Sequence, residues 1–294
     1  VMDYGGANIT IGTASSDAEG NATLQWIVSG VDPGQYVLRM LVQDDLTAAK
    51  ATGATRHYGN HTEMNVTVQV PSSIRVDNIP ANVTAGVNFN VVGQVEDGDN
   101  QSRLLTTPVA LDMFWLDNPG EKLVNGVYTA VNGSFNLSVP TDVLSNGTKR
   151  GPRTFVISVV DGSSPFYLTS TANYSILVKG VSAFENLQPL NPIIVNRGED
   201  VNISARLVES SDMFAPLPGL TVDVLFDATW LASNTTNGQG QVNFTHSVPL
   251  NQPLGLITIT LFYNGTVDLL ATQSSLSSVT IRSITLLVVD PIAA

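Results

Sequence analysis

Val195-Asn-Arg-Gly-Glu-Asp-Val-Asn-Ile-Ser-Ala-Arg-Leu-Val-Glu209 decides the fold, because the chain carries the same pattern a second time. The counterpart is Val83-Thr-Ala-Gly-Val-Asn-Phe-Asn-Val-Val-Gly-Gln-Val-Glu-Asp97. In both stretches a glycine precedes a run in which apolar and polar residues alternate, which is typical of a β-strand with one buried face. Similar short runs, separated by turn residues, continue along all 294 residues. The sequence therefore predicts an all-β chain of antiparallel β-sandwiches arranged in tandem.

A second signal occurs three times along the chain. Gly20, Gly133 and Gly240 are 113 and 107 residues apart, and each precedes a short alternating run. We expect each glycine to supply the positive φ that a tight hairpin turn requires. The run after each glycine is then expected to form a strand, the first being Ala22-Thr-Leu-Gln-Trp26.

The repeats predict four segments. Residues 72–180 and 181–283 each form a complete repeat, whereas residues 1–71 correspond only to the second half of one. The opening strands of that first repeat are either missing or supplied by a neighbour. Residues 284–294 carry the first strand of a further repeat or a donor strand.

A half-sandwich leaves an unpaired strand edge and an exposed apolar face. A strand added from another chain would satisfy the edge and fill the core groove together. Ile284, Leu286 and Val288 alternate in the last apolar run and are the candidate residues for such strand exchange. The alternative is that the chain is a truncated piece of a longer repeat protein.

Asparagine is concentrated in the tripeptide Asn-x-Ser/Thr, the acceptor for N-linked glycan. Fourteen of the 24 asparagines lie in this tripeptide, far more than the serine and threonine content would place there by chance. They predict a glycosylated, extracellular chain; the alternative is a Thr- and Asn-rich β protein with accidental tripeptides. The fourteen are Asn8, Asn21, Asn60, Asn65, Asn82, Asn100, Asn132, Asn136, Asn146, Asn173, Asn202, Asn234, Asn243 and Asn264.

Composition excludes several classes of protein. The net charge is −12 and only 13% of residues are charged, which argues against nucleic acid and anionic membranes as partners. The densest basic stretch, Lys149-Arg150 with Arg153, is interpreted as a solvated turn. The chain has no cysteine, so disulfides and thiol catalysis are excluded. No apolar run reaches 18 residues, so no transmembrane segment is expected.

Few residues suggest a chemical site. Glu96-Asp-Gly-Asp-Asn100 contains carboxylate and amide oxygens, so Asp97 and Asp99 are candidate Ca²⁺ ligands, with a solvated turn as the alternative. No other cofactor is expected. His57 and His61 are placed in a loop, His246 is expected to face solvent, and no arrangement typical of an enzyme active site is found.

The order of four motifs resembles the Ig-like repeats of prokaryotic surface proteins, especially large archaeal cell-envelope glycoproteins. The motifs are Val195-Asn-Arg-Gly-Glu-Asp-Val-Asn-Ile, Leu217-Pro-Gly-Leu-Thr-Val-Asp-Val, Thr236-Asn-Gly-Gln-Gly and Pro253-Leu-Gly. This resemblance implies tandem Ig-like sandwiches in a non-enzymatic S-layer or filament subunit, whose partners are N-linked glycans and copies of itself. It also implies donor-strand joining as one way of assembly. The alternatives are an adhesin or ligand-binding module, or the stalk of a larger surface protein.

Overall fold

The computed structural model describes residues 2–4, 7–28, 30–42, 60–101, 103–140, 150–189 and 193–285. All regular secondary structure in this part of the chain is β-strand. The strands are β1 (Met2–Tyr4), β2 (Ala7–Ile9), β3 (Gly34–Val42), β4 (Asn60–Val68), β5 (Ser72–Asn78), β6 (Asn82–Thr84), β7 (Phe89–Asp97), β8 (Ala110–Trp115), β9 (Asn118–Tyr128), β10 (Ser134–Val139), β11 (Gly151–Val159), β12 (Thr171–Lys179), β13 (Ser182–Gln188), β14 (Ile193–Asn196), β15 (Asp200–Glu209), β16 (Ala215–Pro216), β17 (Thr221–Phe226), β18 (Thr229–Thr235), β19 (Gln241–Ser247), β20 (Gly255–Tyr263) and β21 (Thr272–Arg282).

Two compact units make up the chain. The first comprises Val1–Ile79, Val91–Leu137 and Val156–Asn173, and the second comprises Pro80–Asn90, Ser138–Phe155 and Tyr174–Ala294. The division passes through the segment predicted as the second repeat. The predicted repeat boundaries therefore stay predictions.

The third repeat is a two-layer sandwich within the second unit. One sheet has the order β13-β15-β16, with β19 also paired to β15, and the other has the order β14-β21-β20-β17-β18. The alternation in the opening stretch explains the packing, since Ile203 and Leu207 of β15 face the core while the residues between them face outward. From the opposite sheet, Val224 and Ile259 complete the same apolar cluster. The prediction of tandem Ig-like antiparallel sandwiches is confirmed by these sheets.

Each of the five-stranded sheets also contains one parallel pair that the alternation does not reveal. β14 runs parallel to β21, and β6 runs parallel to β12. The reason is that the opening strand of a repeat is divided in two. Its first part, β13 or β5, stays in the smaller sheet, and its second part joins the last strand in the larger sheet.

Residues 72–180 contribute sheets of the same kind, with the orders β10-β7-β5 and β6-β12-β11-β8-β9. Val91 and Val95 of β7 are fully buried, as are Leu111 and Met113 of β8. Trp115, at the end of β8, is also fully buried.

The described part of residues 1–71 contributes one four-stranded sheet with the order β2-β1-β3-β4. Its small core consists of Tyr36 and Val68, against which Trp26 and Leu38 pack. The prediction of a strand at residues 22–26 is wrong, because this segment has no strand structure. The corresponding strands β10 and β19 pair with β7 and β15, and among the described residues before 22 no strand of that kind is present to act as a partner.

The three hairpin glycines adopt the predicted conformation, with φ of 87° at Gly20, 86° at Gly133 and 75° at Gly240. Two of them are also enclosed by backbone. A Cβ on Gly133 would lie 2.1 Å from the carbonyl oxygen of Val95, and one on Gly240 would lie 2.5 Å from that of Leu207. The carbonyl of each of these two glycines also accepts a hydrogen bond from the neighbouring strand. The Val95 N–H donates to Gly133 (2.9 Å), and the Leu207 N–H donates to Gly240 (2.8 Å).

Gly240→Ala is expected to destabilise the third repeat by more than Gly219→Ala. Both residues have positive φ, 75° and 72°, so each alanine meets the left-handed penalty of about 1–2 kcal/mol. Only the alanine at 240 also meets a carbonyl oxygen, since nothing lies within 4 Å of a Cβ at 219. Urea unfolding of the two variants measures the difference, and equal losses would contradict the enclosed turn.

Candidate functional site

The sequon asparagines are on the surface wherever their side chains are described. In the strands this follows from alternation, as Asn202 lies between the core residues Val201 and Ile203 and so faces outward. The backbone of Asn8 lies in β2, but its side chain and the whole of Asn146 lie outside the described part. The exposed ones are Asn21, Asn60, Asn65, Asn82, Asn100, Asn132, Asn136, Asn173, Asn202, Asn234, Asn243 and Asn264.

Asp97, one of the two candidate calcium ligands, is completely buried at the end of β7. Its Oδ1 accepts hydrogen bonds from the backbone N–H of Asp99 (2.9 Å) and of Asn100 (3.2 Å), and its Oδ2 accepts one from Arg103 (3.4 Å). These bonds close the turn that follows β7. Asp99 itself is exposed.

Among the residues that the structure describes, no group of three or more His, Cys, Asp and Glu side chains is arranged to hold a metal ion. Calcium binding at Asp97 and Asp99 stays a prediction.

Arg103 connects two segments that the repeats assign to different domains. Its guanidinium contacts Asp32 Oδ1 at 2.6 Å on one side and Asp97 Oδ2 at 3.4 Å on the other. Asp32 precedes β3, and its carbonyl accepts a hydrogen bond from the Tyr36 hydroxyl (2.5 Å). We call this contact the Arg103 bridge.

Arg150 makes the equivalent connection further along the chain. Its guanidinium pairs with Glu209 at the end of β15, and its Nε lies 3.1 Å from Asp268 Oδ2. The sequence-based interpretation of Arg150 as part of a solvated turn is therefore wrong, because its side chain is only 32% exposed and is paired with two acidic side chains. We call this contact the Arg150 bridge. Neither bridge could be found from the sequence. In the Arg150 bridge, the two acidic residues lie 59 and 118 positions from the arginine.

Serine side chains secure the first strand of each complete repeat. The Ser72 hydroxyl donates to the Leu168 carbonyl (2.7 Å), and the Ser182 hydroxyl donates to the Leu270 carbonyl (2.6 Å). Each serine is paired in register with the buried acid that ends the partner strand, Asp97 or Glu209. The two complete repeats therefore begin alike, with a buried hydroxyl beside a buried carboxylate.

The buried position of Glu209 affects its ionisation. Removal from water raises the pKa of the Glu209 carboxyl, and the positive charge of Arg150 opposes that rise. At Asp268, the hydrogen bond from the Thr266 hydroxyl is the main cause that lowers the pKa. The two acids that share Arg150 are therefore expected to take up protons at different pH.

Two of the three histidines, His61 and His246, lie in the described residues. The prediction that His61 lies in a loop is wrong, because it is an exposed residue of β4, where it pairs with Leu41 of β3. His57 lies outside the described part. The expectation that His246 faces solvent is wrong: its ring lies 4.5 Å from the ring of Phe226, a core residue, measured between centroids. Burial lowers the pKa of His246, and Asp200 opposes that effect.

The strand-exchange candidates are only partly described. Ile284 is 73% exposed and follows the end of β21, whereas Leu286 and Val288 lie outside the described residues. No helix in the described part of the chain is both long and apolar enough to cross a membrane.

The wild-type chain is expected to become less stable as the pH rises above about 4.5, the usual pKa of glutamate, because of Glu209. In Glu209→Gln this dependence on pH should be absent. Because the pKa of Glu209 is higher in the folded chain than in the unfolded chain, the protonated carboxyl stabilises the fold fully below the unfolded pKa. This stabilisation is lost as the pH rises through the folded pKa. Asp268→Asn is the matched control, since a lowered pKa makes stability fall with acidification instead. Thermal unfolding from pH 3.5 to 7 distinguishes the two slopes.

Asp97→Asn is expected to lower the free energy of unfolding by about 1–3 kcal/mol in EDTA as well as in calcium, because its charged partner belongs to the protein. Asp99→Asn, at an exposed position, is the control and should change little. A loss that appears for both variants only when calcium is present would instead establish the calcium site.

No family model and no curated protein matches the chain. Among solved structures, the tetra-tandem repeat in the extending region of a large adhesion protein aligns at 17% identity and a TM-score of 0.35, covering 94% of this chain and 66% of that one. An I-band fragment of titin aligns at 12% identity with a TM-score of 0.40, covering 74% and 66%. The fibronectin(III)-like modules of Clostridium thermocellum CbhA align at 15% identity with a TM-score of 0.27, covering 71% and 93%. At such low values the fold assignment rests on the sheets of this chain.

Proposed function

We propose that this chain is a structural, heavily N-glycosylated subunit of an extracellular archaeal surface assembly, a filament or an S-layer, and that it associates with its own copies through β-strand edges. The observation that carries the proposal is the open apolar face of the first sheet. The open face is defined as the inward side chains of β3 and β4, principally Leu38, Met40, Val42 and Met64.

Comparison with the third repeat shows what the open face lacks. β3 and β20 are both nine residues long and both begin at a glycine, Gly34 and Gly255, so their inward residues can be compared position by position. In β20 the inward residues Ile257, Ile259, Leu261 and Tyr263 are between 1% and 5% exposed. In β3 the last two, Met40 and Val42, are 68% and 61% exposed.

A third exposed side chain on the open face lies across the strand pair. Met64 of β4 is 60% exposed and is in register with Leu38 of β3. Exposed apolar side chains that adjoin one another on a sheet are typical of an interaction surface rather than of a solvated one. The open face therefore supports a further strand or sheet as its partner.

The partner we propose is the apolar run from Ile284 to Val289 of another copy. Its residues Ile284, Leu286 and Val288 alternate, so one face of an added strand would be apolar. The corresponding strand of the second repeat is β5, in which Ile74 is buried at 9% exposure. Ile284, which corresponds to Ile74, is exposed in this chain and accessible to a neighbour.

The surface positions of the sequons support the extracellular part of the proposal. Glycan on exposed asparagines would supply the solubility that a chain with 13% charged residues otherwise lacks. A chain without cysteine is suited to an archaeal surface, because extracellular eukaryotic sandwiches usually rely on disulfides.

A stalk or adhesin of a larger surface protein is the alternative. The Arg103 and Arg150 bridges favour a stalk, because ion pairs across successive repeats would stiffen a spacer. A stalk, however, needs no contact through the open face. Electron microscopy of the native material distinguishes the two: filaments or a lattice support the proposal, and separate spikes support the alternative.

Met40→Asp is expected to weaken self-association of the full chain by about ten- to a hundredfold, the equivalent of losing one buried side chain worth about 1.5–3 kcal/mol. The matched control is Met213→Asp, since Met213 is 84% exposed in a turn far from the open face in sequence. Sedimentation velocity over a concentration series measures the association.

Ile284→Asp should weaken association to a similar extent, and combining it with Met40→Asp should add little, because both changes act on one contact. A wild-type chain that stays monomeric at all concentrations would contradict the proposal.

A further inference from the structure

Two sequons differ in how their own atoms are arranged, although both asparagines are exposed. The first, Asn132-Gly-Ser134, forms the turn before β10. The Oδ1 of Asn132 accepts hydrogen bonds from the backbone N–H of Ser134 (3.1 Å) and from the Ser134 hydroxyl (2.9 Å). Gly133 between them has a φ of 86°, which lets the tripeptide bend on itself. The amide and the hydroxyl of this sequon are therefore already in contact.

The second sequon, Asn202-Ile-Ser204, is extended in the middle of a sheet. All three of its residues are paired with β19, and Ser204 is also in register with Gln188 of β13. Residues two apart in a strand are about 6.6–6.8 Å apart, so the backbone of this tripeptide is extended and not bent on itself. The Asn202 Oδ1 instead accepts a hydrogen bond from the hydroxyl of Thr245 (2.9 Å), which belongs to the sequon on β19.

The chemistry of glycan transfer makes this difference matter. Transfer forms a bond between the asparagine Nδ2 and the anomeric carbon of a lipid-linked sugar phosphate. The bond from that carbon to the phosphate oxygen breaks, the phosphate leaves with the electron pair, and a base of the transferase takes one amide proton. The hydroxyl two residues on defines the acceptor, so the transferase has to contact both side chains at once, and a tripeptide paired within a sheet has to leave the sheet to enter the enzyme.

We propose that the folded protein accepts glycan at Asn132, whereas Asn202 accepts it only before the third repeat has folded. This inference rests on the proposed glycosylation and adds the order in which two sites are modified. To bend residues 202–204, the chain would have to break pairs with β19 and withdraw Ile203, which is 1% exposed, from the core. Opening of that kind belongs to sub-global unfolding and is rare in the native state.

The test uses the full chain, produced without glycan and then incubated with a purified oligosaccharyltransferase and a lipid-linked oligosaccharide. Mass spectrometry of peptides follows the occupancy of each site with time. Ser134→Ala removes the acceptor hydroxyl and should abolish modification of Asn132 alone. Val224→Asp places a carboxylate at a fully buried position of the third core and should make Asn202 an acceptor. A synthetic peptide of residues 199–207 is the second positive control for Asn202.

In the folded chain we expect modification of Asn202 to be at least about tenfold slower than that of Asn132, because only a small fraction of molecules is locally open. Similar rates at the two sites in the folded chain would overturn the inference. Failure to modify Asn132 in the folded chain, while the peptide is modified, would overturn it as well. Failure to modify both the chain and the peptide would overturn the proposed glycosylation itself.

Discussion

Mutual burial of two facing sheets is the interaction on which the rest of the structure depends. In the third repeat, side chains from both sheets form one apolar cluster in which β15 and β19 cover β17, β20 and β21. Because a strand points alternate residues to its two faces, the same packing places the sequon asparagines outward. The first sheet obeys this constraint only in part: Tyr36 is buried, and Met40 on the same face is not. Its incomplete cover leaves Met40 and Val42 exposed on the face where Tyr36 is buried.

Two groups of ion pairs join successive segments of the chain, one at Arg103 and one at Arg150. Asp97 and Glu209 each end a strand beside the serine that begins the repeat, and both are almost completely buried. A buried carboxylate is costly unless it is paired, and each has an arginine contact. The two arginines differ in their position along the chain: Arg103 follows Asp97, whereas Arg150 precedes Glu209. The two bridges are therefore similar solutions reached with different residues.

Local features could be predicted from the sequence, and features that depend on distant partners could not. The alternation of β15 and the conformations at Gly133 and Gly240 follow from residues within a few positions of one another. The segment 22–26 has the same local pattern as β10, but no strand among the described residues pairs with it, so local propensity does not make it a strand. The Arg150 bridge joins residues more than fifty positions apart, and nothing local marks it.

The parallel pair between β14 and β21 determines how a repeat would respond to tension. β14 belongs to the start of the repeat and β21 to its end, and four residues of each strand, Ile193–Asn196 and Val279–Arg282, are in register. Pulling the two ends apart would slide these strands past each other, so the hydrogen bonds between them would be loaded together rather than broken one after another. β6 and β12 repeat the arrangement over three pairs. In each of the two complete repeats, the strands near its start and its end are therefore joined directly by a parallel pair.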